Sequence, residues 1–143
     1  MYSSIVRIKA KLTNEVLLQL TDDEGLGSVN DSRITTALTK ASSITDMLCG
    51  VKYSVPFAFP VPAIVEDLVD DIAEYELYAR KVQEFPPAVK ERRDNAIKLL
   101  TDVSKEIASL GIDPAPAQPT QGAPESNKTT NDRVFTRSKL EGF

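Results

Sequence analysis

The sequence predicts an all-α protein, a small bundle of four to five helices with a long extended C-terminal arm. Three observations carry this expectation. Apolar residues recur at helical spacing through most of residues 5–110. Glycine, proline and small polar residues interrupt that pattern where helices start and stop. From residue 113 the pattern is lost, and a Pro- and Ala-rich stretch, DPAPAQPTQGAPESN, takes over. The chain divides accordingly into a helical body (1–112), a linker (113–127) and a terminal arm (128–143).

The first helical region is IVRIKAKLTNEVLLQL, residues 5–20, with Ile5, Ile8, Leu12, Val16, Leu17 and Leu20 in register. Thr13 is a natural cap for its second half, so two short helices with a break near Thr13–Asn14 are expected. TDDEGLGSVND, residues 21–31, reads as a loop. It has a faint likeness to a calcium loop, but its glycines are misplaced and the twelfth position after Asp22 is Arg33, so a solvated turn is the better reading. Asn30 or Asp31 caps a helix to about Cys49, with Ile34, Ala37, Leu38, Ala41, Ile44 and Leu48 as its stripe. The other face holds Thr35, Thr36, Thr39, Ser42, Ser43 and Thr45. These are mediocre helix formers, so this helix leans on tertiary packing, and Gly50 stops it.

VKYSVPFAFPVP, residues 51–62, has prolines at 56, 60 and 62 that forbid a long helix or a central strand. It is also rich in apolar residues. Either it laps over its own helices or Tyr53, Phe57 and Phe59 form a subunit contact. Pro62 opens a helix to about Gln83, with Ile64, Val65, Leu68, Val69, Ile72, Tyr75 and Ala79 on one side. Asp67, Asp70, Asp71 and Glu74 fall nearly opposite. Pro86–Pro87 begin the last helix, expected to reach about Leu110 through Val89, Ala96, Leu100, Val103 and Ile107, with Gly111 as its stop.

The 143 residues are 41% hydrophobic and 27% charged, a globular composition for one domain. The net charge is −4, and residues 1–112 carry all of it, with 17 acids against 13 bases. Residues 113–143 hold four of each, with the bases clustered toward the end. No global charge draws the chain to nucleic acid. One cysteine, Cys49, excludes an intrachain disulfide, and the absence of histidine removes Ser-His and Cys-His catalysis. No apolar run is long enough for a membrane helix, and the first residues lack a signal-peptide core. A soluble, cytoplasmic product that associates with no membrane is expected.

The acidic side of the fourth helix is the one cluster resembling a site. Carboxylates spaced i, i+3, i+4 and i+7 can hold Mg²⁺ through its waters, but such runs are usually solvated helix faces. No phosphate loop, nucleophile elbow or cysteine pair is present. No catalytic residue, cofactor or metal is assigned, and an enzyme is not expected. Cys49 reads as a small buried hydrophobe.

The order of motifs carries a resemblance. LLQLTDDEG is followed by VNDSRITTAL, by the Y-x-x-P of YSVP, and by VPAIVEDLVDDIAEYELYAR with its DIA-x-Y-x-LY core. PPAVKERRDNAIKLLTDVSKE comes next, and beyond the linker stands NDRVFTRSKLEGF, with R-V-F-x-R and a final GF. Together these resemble the Mu-like bacteriophage head–tail connector family, the neck adaptor or head-completion proteins. The resemblance implies a small helical structural protein of the virion neck, forming a homo-oligomeric ring, generally a dodecamer. Such a ring joins the capsid portal to a downstream neck or tail protein and extends a channel that DNA passes through without specific binding. It also implies that the arm docks on the portal protein. Val134, Phe135, Leu140 and Phe143 would anchor it, and Arg133, Arg137 and Lys139 would meet acidic surface. Asp67, Asp70, Asp71 and Glu74 gain a candidate role as a channel lining that repels phosphates. The competing readings are a stopper or tail terminator, which are more often β-rich, and a monomeric interaction module with a peptide tail.

Overall fold

Ser4, Thr13 and Asn30 each turn a side-chain oxygen toward a backbone N–H two or three residues on, that of Arg7, Val16 and Ser32 respectively. They start α1 (Ile5–Lys11), α2 (Asn14–Thr21) and α3 (Asp31–Cys49). Pro62 and Pro86 precede α4 (Ala63–Ala79) and α5 (Pro87–Ser104), where a missing N–H costs nothing. The computed structural model describes residues 1–81 and 86–115. Among them there are five helices and no strand, as the sequence leads one to expect.

Helices α3, α4 and α5 succeed one another antiparallel. Lys40, midway along α3, pairs with Glu76 late in α4 at 2.5 Å, and Arg92, early in α5, pairs with Glu74 at 2.5 Å. Helix α4 packs mainly on α3 and then on α5, while α1 and α2 lie against α3 and α4. The core runs through Ile8, Leu17, Leu20, Ile34, Leu38, Val65, Val69, Ile72, Leu77, Leu100 and Val103, all essentially inaccessible. Burial of each such side chain stabilises the fold by about 1.5–3 kcal/mol.

Several local expectations are revised. The α3 face holding Thr and Ser is not all outward: Ser42 and Thr45 are buried. The outer hydroxyls of Thr35, Thr36, Thr39 and Ser43 each donate to the carbonyl four residues back. Gly50 does end α3, but in a right-handed conformation. What a side chain there would meet is close neighbours: a Cβ would stand 2.9 Å from the Asp46 carbonyl and 3.2 Å from Val55.

Helix α4 ends at Ala79, short of Gln83, and α5 ends at Ser104, short of Leu110. The stop of α5 is Glu106, in the left-handed region at φ 62°. Ile107 N–H donates to Asp102 O at 2.9 Å and Glu106 N–H to Val103 O at 3.1 Å. These are the two bonds of a Schellman ending, built on a glutamate instead of a glycine. Gly111 lies further on, at φ 74°.

The proline segment laps over its own helices through Tyr53 and Phe57, which are buried. Phe57 meets Tyr2 edge-to-face at 5.4 Å. The Tyr2 hydroxyl donates to Asp46 and accepts from Phe57 N–H at 3.1 Å, and Tyr2 N–H donates to Ser42 Oγ at 3.1 Å. Phe59 lies outside, 82% exposed.

Candidate functional site

The acidic side of α4 is covered by the protein's own bases. Because α4 lies at the centre of the bundle, its polar side faces α1 and α5. Arg7 reaches three carboxylates: Asp70 Oδ2 at 2.8 Å, Asp67 Oδ1 at 2.6 Å and Glu66 Oε2 at 3.2 Å. The hydrogen bond to Asp70 is the main cause that raises the Arg7 pKa. Ser3 adds a second donor to Asp70. Lys11 bridges Asp71 at 2.5 Å and Glu74 Oε2 at 3.1 Å, and Arg92 approaches Glu74 Oε1 at 2.5 Å and Asp71 at 3.5 Å. Glu74 Oε2 accepts no well-formed hydrogen bond, so Lys11 compensates its charge by proximity alone.

Asp70 and Glu74 are therefore buried side chains inside an ion-pair network, and the solvated-face reading does not hold for them. Asp67 keeps a carboxylate 66% exposed. A channel lined by this side would meet Asp67 together with Arg7 and Lys11, not four bare carboxylates. The signal missed in the sequence is the i, i+4 pair Arg7 and Lys11 on α1, complementary to the acids of α4. No group of three or more metal-ligating residues suited to an ion occurs among the described residues.

A second polar cluster closes the far end of the bundle. The Asp22 carboxylate accepts from Gly27 N–H at 2.8 Å and Leu26 N–H at 3.0 Å, which locks the 22–29 loop. Those backbone donors hold its pKa below the usual value. Asp23 is likewise lowered, first by Lys81 and then by Arg80. This loop is built as a local turn, with Asp22 already engaged by backbone.

The opposite end, where α3 and α5 finish and α4 begins, has another character. Of the eight large hydrophobic residues exposed among the described residues, six belong to it: Met1, Met47, Val51, Phe59, Ile64 and Ile107. Polar contacts tie its strands of chain together. Lys52 Nζ donates to Ala108 O at 3.0 Å, Leu110 N–H donates to Tyr53 Oη at 3.0 Å, and Ala115 N–H donates to Lys52 O at 3.0 Å. The chain beyond Ala115 starts from this end. Cys49 lies inside it, fully buried, with its thiol pushed up to about 11, chiefly by burial. Of the three aromatic residues expected at a subunit contact, only Phe59 is outward. The expected arm residues Arg133, Val134, Phe135, Arg137, Lys139, Leu140 and Phe143 lie outside the described residues.

The described residues thus form a small all-helical bundle whose exposed large apolar side chains are gathered mostly at one end. The chain is a member of the family described as Bacteriophage Mu, Gp36, whose model matches residues 2–128. It is thus a bacteriophage protein, and the match leaves residues 129–143 outside it. Among curated proteins no match is found. No helix among the described residues is long and apolar enough to cross a membrane.

Proposed function

We propose that this chain is a structural component of the phage neck, a ring-forming adaptor between the portal and the tail. The observation that carries the reading is the concentration of exposed apolar side chains at the end from which the chain continues beyond Ala115. Exposed apolar groups gathered on one part of a small protein mark an interaction surface. Membership of a bacteriophage family supports a role in the particle. The five-helix body gives no support to a β-rich stopper or terminator.

In this reading Phe59 and its neighbours meet the adjacent subunit of a homo-oligomeric ring. The terminal arm docks on the portal through Val134, Phe135, Leu140 and Phe143, with Arg133, Arg137 and Lys139 on acidic surface. Ordering a dozen backbone residues costs more than four apolar anchors return. Durable attachment therefore depends on many arms acting together in the ring.

The test is attachment to DNA-filled heads that lack this protein. The full chain is expected to seat and to form a closed ring on the portal. A chain ending at Asn131 is expected not to seat. Normal seating of the shortened chain overturns the reading.

A further inference from the structure

We infer that, in the free protein, the segment around Phe135, Leu140 and Phe143 folds back onto the apolar end of its own bundle and covers it. The exposed side chains at that end include Phe59 at 82%, Ile107 at 73%, Met47 at 69% and Val51 at 68%. An apolar surface of this kind in a lone protein is covered or it associates.

The origin and length of the chain outside the described residues select the occupant. Ala115 is fixed to Lys52 by a backbone hydrogen bond at the same end, and 28 residues follow it. Eighteen residues separate Ala115 from Val134, and a random coil of that length reaches roughly 20–25 Å. That is ample to return to an end they start from. The 22–29 loop is the length of α3 away, about 28 Å. At such tether lengths the effective concentration of the segment is in the millimolar range. A second copy at ordinary concentration does not match it.

Charge agrees with the assignment. Asp102, Glu106 and Asp113 stand at this end and enter no ion pair among the described residues. With Asp46, whose carboxylate accepts from Tyr2, they outnumber Lys105, the Met1 α-ammonium and Lys52, whose ammonium is held by Ala108 O. Arg133, Arg137 and Lys139 would bring the complementary sign. The same two surfaces that make a ring and a portal contact thus protect each other until a partner takes one of them.

The inference does not need the portal. A nitroxide is attached to the full chain at Ser138→Cys; native Cys49, buried and with a raised pKa, does not react. Amide NMR signals of Val51, Phe59, Ile64 and Ile107 are expected to lose most of their intensity, and that of Leu26 to keep it. Adding Phe59→Asp and Ile107→Asp to the labelled chain is expected to restore them; both sites are exposed, so the fold tolerates the change. Equal intensity at the two ends overturns the inference. So does broadening in an isotope-labelled chain mixed with a separate nitroxide-bearing chain, because a second copy is then the occupant. Neither result bears on seating at the head, which is measured separately.

Discussion

Tyr2 illustrates how much one side chain outside any helix can do. It joins the start of the chain to α3 through Ser42 and Asp46, and to the proline segment through Phe57. Tyr2→Phe keeps the ring contact and removes the hydroxyl, leaving Phe57 N–H and Asp46 without this partner. A loss of about 1–3 kcal/mol is expected, read by urea unfolding. Burial first, and the bond to Asp46 second, push the Tyr2 pKa up to about 12. A raised folded value means that stability is complete below the unfolded value of 10 and is lost as pH rises toward 12. Cys49, raised from 9 to about 11, gives a similar loss that starts about one unit lower. Unfolding measured from pH 8 to 12 should show falling stability from about pH 9, with a weaker decline above pH 10 in the Tyr2→Phe variant. At the other charged centre, Arg92→Ala strips Glu74 of its best partner. Since Arg92 is 43% exposed, a cost of about 1–2 kcal/mol is expected, in the same assay.

At the scale of elements, the legible features were those set by periodicity and caps. Thr13 and Asn30 begin their helices as the sequence implies, and the stripes of α3, α4 and α5 largely enter the core. The end of α5 was not legible, because a glutamate occupies the left-handed position that usually announces itself as glycine. Glu106→Gly should relieve that backbone and raise stability by about 0.5–1 kcal/mol, seen as a higher denaturation midpoint. The loop after α2 carries its own pH dependence. Asp22 and Asp23 are both lowered from 3.8, so the order they confer is complete above that value and is lost as pH falls through their depressed folded values. Amide exchange at Gly27 and Leu26 should accelerate, relative to its intrinsic rate, once pH drops below about 4.

For the whole molecule, amphipathicity was read correctly on α4 but its neighbours were not. An acidic stripe on an outer helix faces water; on a central helix it needs counter-ions, and Arg7, Lys11 and Arg92 supply them from two other elements. Spacing within one segment cannot reveal which helix is central, because that depends on how all five pack. The same limit explains the proline segment. Tyr53 and Phe57 turn inward and Phe59 outward, although all three alternate with similar neighbours in the sequence. Phe59→Asp should leave thermal stability within about 0.5 kcal/mol of the parent, as surface changes do, while reducing the number of copies that seat on DNA-filled heads lacking the protein.

The hydrogen bond from Ala115 to Lys52 gives the outgoing chain a fixed point of departure. Its reach is then counted from a rigid post, not from the frayed end of a helix. Deleting residues between Ala115 and Val134 changes the count of residues from a point that itself stays put. In a closed circle of copies, those points would all stand at the same height and radius, with their spacing dictated by the bundles.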